Sequence, residues 1–318
     1  MHVLITGGAG FIGSHLADAM VARGDAVVAL DNLSTGRFEN IAHLESHPRF
    51  QFVRETVTDE TVMDKWVSAC DVVVHLAAAV GVELVVKDPV LTLETNLGGA
   101  ETVLRLARRY NKKVLLASTS EVYGKSADIP FREDGDRLMG PTSKSRWAYA
   151  ESKAIDEFMG LAYHAQFGVP MIICRFFNTI GPRQTGNYGM VIPRFVQKAL
   201  AGQPLPVHGD GTQSRCFCDV RDVVRAVLAL IESPQAVGEI FNVGSQAEIT
   251  IRALAERVLA RTGSQSEIAL IPYEQAYAKG FEDMRRRVPS IEKIKAAIGW
   301  EPTIELDQTL DDVIAYFR

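Results

Sequence analysis

With 318 residues, 47% of them hydrophobic and 23% charged, the chain has the balance of a soluble globular protein and enough length for one large domain or two lobes around a sizeable core. A formal net charge of -5, with no basic run beyond Arg285 to Arg287, provides no field suited to a nucleic-acid partner. No apolar run has the length of a bilayer span, and Met1-His2-Val3-Leu4-Ile5-Thr6 passes into glycines with no charged leader, so no membrane partner is expected and the expected location is cytoplasmic.

His2 to Thr6 reads as a first buried strand, followed by Gly7-Gly8-Ala9-Gly10-Phe11-Ile12-Gly13 and a helical pattern through Arg23. Strand, glycine loop and helix in that order suit a dinucleotide pyrophosphate: Gly7 and Gly10 permit the turn and close backbone approach, and Gly13 permits tight helix packing. Ala26 to Leu30 reads as a second strand ending in Asp31-Asn32, about 20 residues past the glycines, where a carboxylate accepts from the adenosine ribose hydroxyls. An acid at that place favours NAD over the 2'-phosphorylated cofactor, although Asp31 to Gly36 also has the composition of a loop.

Gln51 to Arg54, Val72 to Leu76 and Lys113 to Ala117 are further strand-like runs, separated by helical stretches over Asp59 to Ala69 and Pro89 to Arg109. This alternation predicts a parallel sheet with helices on both faces, and ligands of such sheets sit beyond the carboxyl edge. That edge carries His75-Leu76-Ala77-Ala78-Ala79, where small residues admit a cofactor, and Ser118-Thr119-Ser120-Glu121, which brings hydroxyls and a carboxylate.

Next comes Trp147-Ala148-Tyr149-Ala150-Glu151-Ser152-Lys153. In a helix its Tyr-x-x-x-Lys spacing puts Tyr149 and Lys153 one turn apart on one face, and an ammonium beside a phenol, with a nicotinamide that carries positive charge when oxidised, favours the phenolate, giving a base for a substrate alcohol. Alone, such a pair is two surface residues; downstream of a glycine fingerprint it has a use. On the other side of the Tyr149 to Phe167 helix Ile155, Phe158, Met159 and Ala162 form an apolar stripe that is either core or a surface for a partner helix.

Pro170 to Cys174 reads as a sixth strand leading into Arg175-Phe176-Phe177-Asn178. Beyond it the elements become short: turns at Gly181-Pro182-Arg183 and Gly186 to Gly189, a helix over Ile192 to Ala201, and strands at Leu205 to Val207 and Ser214 to Asp219. Val220 to Ser233 and Glu239 to Asn242 read as a return to the first lobe, and Thr250 to Thr262, Ile291 to Ile298 and Leu306 to Phe317 as closing helices. The expected division is a cofactor-binding domain over 1–177, joined again by 219–243, with 178–218 and 244–318 forming the smaller lobe. Cys70, Cys174, Cys216 and Cys218 lack metal-ligand spacing and are expected to be reduced packing thiols, with no metal implied.

Taken together, Thr6 to Gly13, Asp31-Asn32, His75 to Ala78, Asn96, Ser118 to Gly124, Tyr149 with Lys153, Arg175 to Asn178, Gly181-Pro182-Arg183, His208 to Gly211 and Arg215-Cys216-Phe217 resemble the extended short-chain dehydrogenase/reductase superfamily of nucleotide-sugar epimerases, dehydratases and decarboxylases. The resemblance spans essentially the whole chain. It implies an α/β architecture, a Rossmann-type doubly wound parallel sheet with a smaller α/β substrate-binding lobe on its C-terminal side, and a homodimer packed through the Pro89 and Tyr149 helices. NAD would be contacted by Gly7, Gly10, Phe11, Ile12, Asp31, Asn32, Leu76, Ala77, Asn96, Tyr149 and Lys153. Tyr149 would be the catalytic base, and Asn178, Arg215 and Arg287 would hold a sugar diphosphate such as that of a UDP-sugar. Val191 to Phe195 and His208 would lie at the nucleobase.

This chain has Glu55-Thr56 where such proteins commonly carry Gly-Asp, and His208 where a stacking Tyr is common. Three stretches point within the family to UDP-glucuronate decarboxylases: Thr119-Ser120-Glu121, Gly140 to Trp147, and Phe281 to Ile291 with its Arg287-Val288-Pro289-Ser290-Ile291. In that reading Thr119, Glu121 and Arg287 join Tyr149 and Lys153 in catalysis through a 4-keto hexose. A 4-epimerase, a 4,6-dehydratase and a non-catalytic NAD-binding sensor stay open as alternatives.

Overall fold

A computed structural model describes residues 1–81, 88–186, 190–272, 275 and 284–318. The expected turn at Gly186 to Gly189 and the start of the Phe281 segment lie largely outside them.

Seven parallel strands form the central sheet. In chain order they are β1 (His2–Thr6), β2 (Ala26–Leu30), β3 (Phe50–Val53), β4 (Val72–His75), β5 (Lys113–Thr119), β6 (Met171–Phe176) and, much later, β11 (Glu239–Val243), arranged β11-β6-β5-β4-β1-β2-β3. The order reverses between β1 and β4, which opens a crevice at their carboxyl ends. These strands are nearly continuous apolar runs because both faces of the sheet are covered. On one face α1 (Phe11–Arg23) and α6 (Val220–Glu232) bury Leu16, Met20, Val223 and Val227. On the other, α2 (Glu60–Ala69), α3 (Pro89–Tyr110) and α4 (Ala148–Phe167) cover Met63, Val67, Val103 and Met171. Local chemistry sets the helix ends. Asp59 accepts from Thr61 N and Val62 N to start α2, Asp88 with Pro89 starts α3, and left-handed Gly24, Asn111 and Gly168 end α1, α3 and α4.

Both β5 and β6 run two residues beyond the expected ends, since Ser118 pairs with Arg175 and Thr119 with Phe176. That extension carries Thr119 to the sheet edge. The stripe on α4 divides: Met159 packs into the core, whereas Ile155 and Phe158 are 44% and 67% exposed.

A second core gathers Phe195, Val207, Leu254, Val258, Leu310 and Ile314. It is built by α5 (Val191–Leu200), β8 (Leu205–His208), β9 (Ser214–Cys216), β10 (Cys218–Asp219), α7 (Ile251–Thr262) and α9 (Leu306–Phe317), with α8 (Glu292–Ile298) packing its Ile294 on the first core. The Ser214 to Asp219 run is thus two strands. Three further strands escaped the sequence: β7 (Thr179–Ile180) pairs parallel with β10, β12 (Glu248–Thr250) pairs antiparallel with β9, and β13 (Ile268–Ile271) pairs parallel with β8. All four cysteines are buried thiols, and burial pushes Cys70 up to about 11 and Cys216 up to about 12. Among the described residues no helix is long and apolar enough to cross a membrane.

Candidate active site

A cavity of about 720 Å³ runs from the β1/β4 crevice to the second core. Such a volume suits a cofactor together with a substrate headgroup. At the crevice Gly7, with φ of 71°, lies so close to the neighbouring strand end that a Cβ there would sit 2.8 Å from Ala77 N. Thr6 holds that strand end in place: its hydroxyl pairs with His75 Nδ1 at 2.8 Å and accepts from Ala77 N at 3.3 Å. Burial, with the Lys153 charge added, pushes His75 down to about 3, so its ring stays neutral. Gly10 caps α1 without a side-chain hydrogen bond, and the first turn holds no acid, which leaves the amides of that helix end for an anion.

Gly7, Gly10, Phe11, Ile12, Asp31, Asn32, Leu76 and Ala77 all line the cavity. Asp31 braces the glycine loop as well, accepting from Ala9 N at 3.1 Å and Leu33 N at 2.8 Å; burial raises its carboxyl against those bonds. Glu55 and Thr56 line the same end. Asn96 departs from expectation: it is not among the lining residues. Buried, it holds Ala79 through N and O and donates to Ser152 Oγ at 3.1 Å, so it braces the wall from behind.

At the middle of the cavity α4 presents Tyr149 and Lys153, and the β5 end presents Thr119, Ser120 and Glu121. Thr119 lies near enough to the Tyr149 phenol to work against the rise that burial imposes on it. Lys153 Nζ is 2.8 Å from Asp156 Oδ2, both residues are buried, and the phenol is raised by burial, then by Glu121 and Asp156, with Thr119 and Arg146 opposing.

Glu121 sits between two guanidiniums. Arg146 Nη1 donates to Oε2 at 2.5 Å, and Arg287 Nη1 lies 3.6 Å from Oε1 and 3.4 Å from Ser120 Oγ. Burial raises the Glu121 carboxyl, but Arg146, Arg287 and Arg215 outweigh it and hold the group below its ordinary value. Arg146 was missed from the sequence; its place three residues before Tyr149, in the turn that opens α4, was the available signal.

A buried strut fixes the segment that carries Arg287. Glu157 on α4 pairs with Arg175 at 2.7 and 2.9 Å and accepts from Ser118; Arg175 donates to the Tyr123 hydroxyl, which donates to Asn242 Oδ1 at 2.7 Å. Asn242 Nδ2 then grips Phe131 O and Ser290 O, while Phe131 N bonds Val288 O and Ser290 N bonds Phe131 O. Residues 288 and 290 are held on both sides, so Arg287 projects from a fixed frame.

Asn178, Val191, His208 and Arg215 also line the cavity, and with them Arg183 and Arg194, which sequence reading did not single out. Asn178, with φ of 27°, donates to Cys216 O at 2.9 Å and links β6 to β9. Charge is unevenly spread: five arginines and Lys153 face the cavity against Asp31, Glu55 and Glu121, in a chain whose net charge is -5. The site is therefore built for an anion.

The doubly wound sheet, the glycine loop and the Tyr-x-x-x-Lys helix define an extended short-chain dehydrogenase/reductase. More narrowly, the chain belongs to the family described as GDP-mannose 4,6 dehydratase, whose profile matches residues 4–313. It is 43% identical over 316 residues to a UDP-N-acetyl-alpha-D-glucosaminuronate decarboxylase of Bacillus cytotoxicus, covering 99% of this chain and 97% of the relative. To UDP-glucuronic acid decarboxylase 1 of Arabidopsis thaliana it is 37% identical, covering 100% of this chain and 70% of the relative. Among solved structures it superimposes on a UDP-glucuronic acid 4-epimerase from Bacillus cereus in complex with UDP-glucuronic acid and NAD, with a TM-score of 0.90, 29% identity and coverage of 100% and 99% of the two chains. A dTDP-glucose 4,6-dehydratase from Streptomyces venezuelae with NAD bound gives a TM-score of 0.90 at 29% identity, covering 100% and 97%.

Proposed function

We propose that the chain is an NAD-dependent UDP-hexuronate decarboxylase. The observation that carries this reading is Glu121 clamped by Arg146 and Arg287 beside Tyr149 and Thr119, in a cavity with surplus guanidinium. A 4-epimerase of neutral hexoses needs only a base, a cofactor and room for the sugar to turn; a site that must hold a sugar carboxylate as well as two phosphates needs the extra cations.

The glycine loop, the bare α1 amides, Asp31 and Lys153 suit NAD, which when bound takes a hydride from sugar C4 and later returns it. Tyr149 takes the proton of the C4 hydroxyl. With C4 a ketone, the C6 carboxylate is β to it: the C5–C6 bond breaks, carbon dioxide leaves, and the electron pair spreads over C5, C4 and O4 as an enolate. Tyr149 and Thr119 donate to O4, a preorganised stabilisation of the developing charge. Arg287 orients the departing carboxylate, and Glu121, kept in place by Arg146, relays a proton from solvent water to C5.

We divide the chain into an NAD-binding domain over 1–177 with 219–243 and a nucleotide-sugar lobe over 178–218 and 244–318. The exposed Val90, Ile155, Phe158 and Phe167 on α3 and α4 support a homodimer through those helices.

Proton NMR in heavy water with NAD and either UDP-glucuronate or its 2-acetamido counterpart tests the reading. Loss of C6 with deuterium at C5 is the expected result, and the faster substrate identifies the C2 group; similarity to the Bacillus cytotoxicus decarboxylase favours the acetamido sugar. Inversion at C4 without deuterium uptake would replace decarboxylase by 4-epimerase.

A further inference from the structure

Lys153 lines the cavity, whereas Asp156, one turn further along α4, lies behind the wall with no exposed surface. Its Oδ2 holds Lys153 Nζ at 2.8 Å, and its Oδ1 is buried without a hydrogen-bond partner. A carboxylate left half satisfied in the interior carries a desolvation penalty, heavier when it is charged.

We propose that Asp156 is a positioning residue of the catalytic pair: it anchors the Lys153 ammonium and neutralises it, so that Lys153 by itself does not ionise Tyr149. This rests on the reading of Tyr149 and Lys153 as the pair that handles the C4 hydroxyl proton. With Asp156 ionised, the first proton lost from that pair leaves a net negative charge in a buried site. Without that charge, the same loss turns a net positive site neutral. Proton loss is therefore harder with Asp156 present, whichever member of the pair gives up the proton. Tyr149 then keeps its proton in the cofactor-free site, next to a lysine whose charge Asp156 offsets.

The other titratable groups around the pair are already compensated. His75 at the end of β4 is neutral and held by Thr6, Glu157 is locked in the Arg175 fork, and Glu121 lies between Arg146 and Arg287. Burial raises the Asp156 carboxyl, with Glu157 adding and Lys153 opposing.

The test compares wild type with Asp156→Asn, which keeps shape and an acceptor for Lys153 but removes the charge. Carbon NMR of the Lys153 side chain, assigned with Lys153→Arg, is followed against pH in cofactor-free protein; the first proton loss of the pair is expected about one unit lower in the variant. With NAD and UDP-glucuronate, the acid limb of kcat is expected to move the same way, so relative activity on that limb rises about tenfold. A merely structural role would lower kcat at every pH and leave both inflections in place. Unmoved or upward inflections would overturn the proposal. Should the wild type turn over no UDP-hexuronate, the proposed function falls and the NMR titration alone decides the role of Asp156. If Asp156→Asn does not fold, Asp156→Ser, smaller and still polar, enters the same titration.

Discussion

Arg146 donates to Glu121 at 2.5 Å, and their side chains are only 5% and 12% exposed. A pair this buried is retained at the expense of desolvating two charges, and removing one partner strands the other. Replacing Arg146 with Met should let the Glu121 carboxyl rise toward its ordinary value, leaving Arg287 as its nearer opposing charge. The acid limb of the decarboxylation profile should move to higher pH and kcat should fall by about 100-fold. A profile unchanged in shape would mean that Glu121 does not titrate in the rate-limiting step.

Glu121→Gln keeps the shape and removes the carboxylate that handles the C5 proton. Decarboxylation should drop by about 100-fold or more, with sugar-nucleotide binding, read by calorimetry, changed far less. Retention of full turnover would reduce Glu121 to a binding residue.

Tyr149→Phe removes the phenol near Thr119 and leaves Lys153 and the glycine loop in place. Turnover of every UDP-hexuronate should be lost, while cofactor binding, followed by fluorescence quenching, persists. Retained activity would remove the phenol from the mechanism.

The first lobe was legible because its signals are local: runs such as Val72 to His75 are apolar throughout, and Gly7 and Gly13 stand where backbone approaches backbone. The last two residues of β5 were not, since Ser118 and Thr119 are strand only through pairing with β6. For the same reason β12 and β13, three and four residues long, depend on partners tens of residues away. In the site, residue types predicted the chemistry and topology decided the pairing. Tyr149 and Lys153 were visible from spacing, but Asp156, three residues beyond Lys153, reads as one more polar helix position until burial places it against the ammonium. Asn96 shows the reverse: a motif residue expected at the cofactor proves to brace Ala79 from behind.

Asn242 joins Tyr123 to the backbone of Phe131 and Ser290, and through them fixes Arg287. Asn242→Ala leaves buried carbonyls and a hydroxyl without their partner, a loss of about 1–3 kcal/mol in urea unfolding. Because Arg287 loses its frame, kcat should fall more than KM changes. A variant that is destabilised but fully active would limit Asn242 to folding.

Phe158, two-thirds exposed on α4, lies with Ile155 on the face proposed to meet a second copy. Phe158→Glu would put a charge on that apolar face, which a second copy would have to desolvate. Light scattering should report a monomer for the variant and a dimer for the parent. A parent that is monomeric at assay concentrations would remove the dimer.

Glu248 on β12 pairs with Arg286 at 2.7 and 2.8 Å and accepts from Ser214, tying β9 and β12 to the segment that leads into Arg287. The Arg286 hydrogen bonds, acting against desolvation, with the Ser214 bond and the Arg286 charge assisting, bring its carboxyl down to about 2. For a carboxylate depressed in the folded state the stabilisation is fully present above the unfolded value, about 4.3, and is lost as pH falls through the folded one. Arg286 is half exposed, so solvent screens the pair and the contribution is small. Acid unfolding of Glu248→Gln should therefore run parallel to wild type above about pH 5 and lose the part of the decline that Glu248 contributes between about pH 4 and pH 2. The decarboxylase should also lose activity in acid before the fold does, because protonating Glu248 loosens the strand that adjoins Arg287 while the first core stays intact. If near-UV and activity transitions of wild type and Glu248→Gln coincide across that window, the coupling between this surface pair and Arg287 is absent.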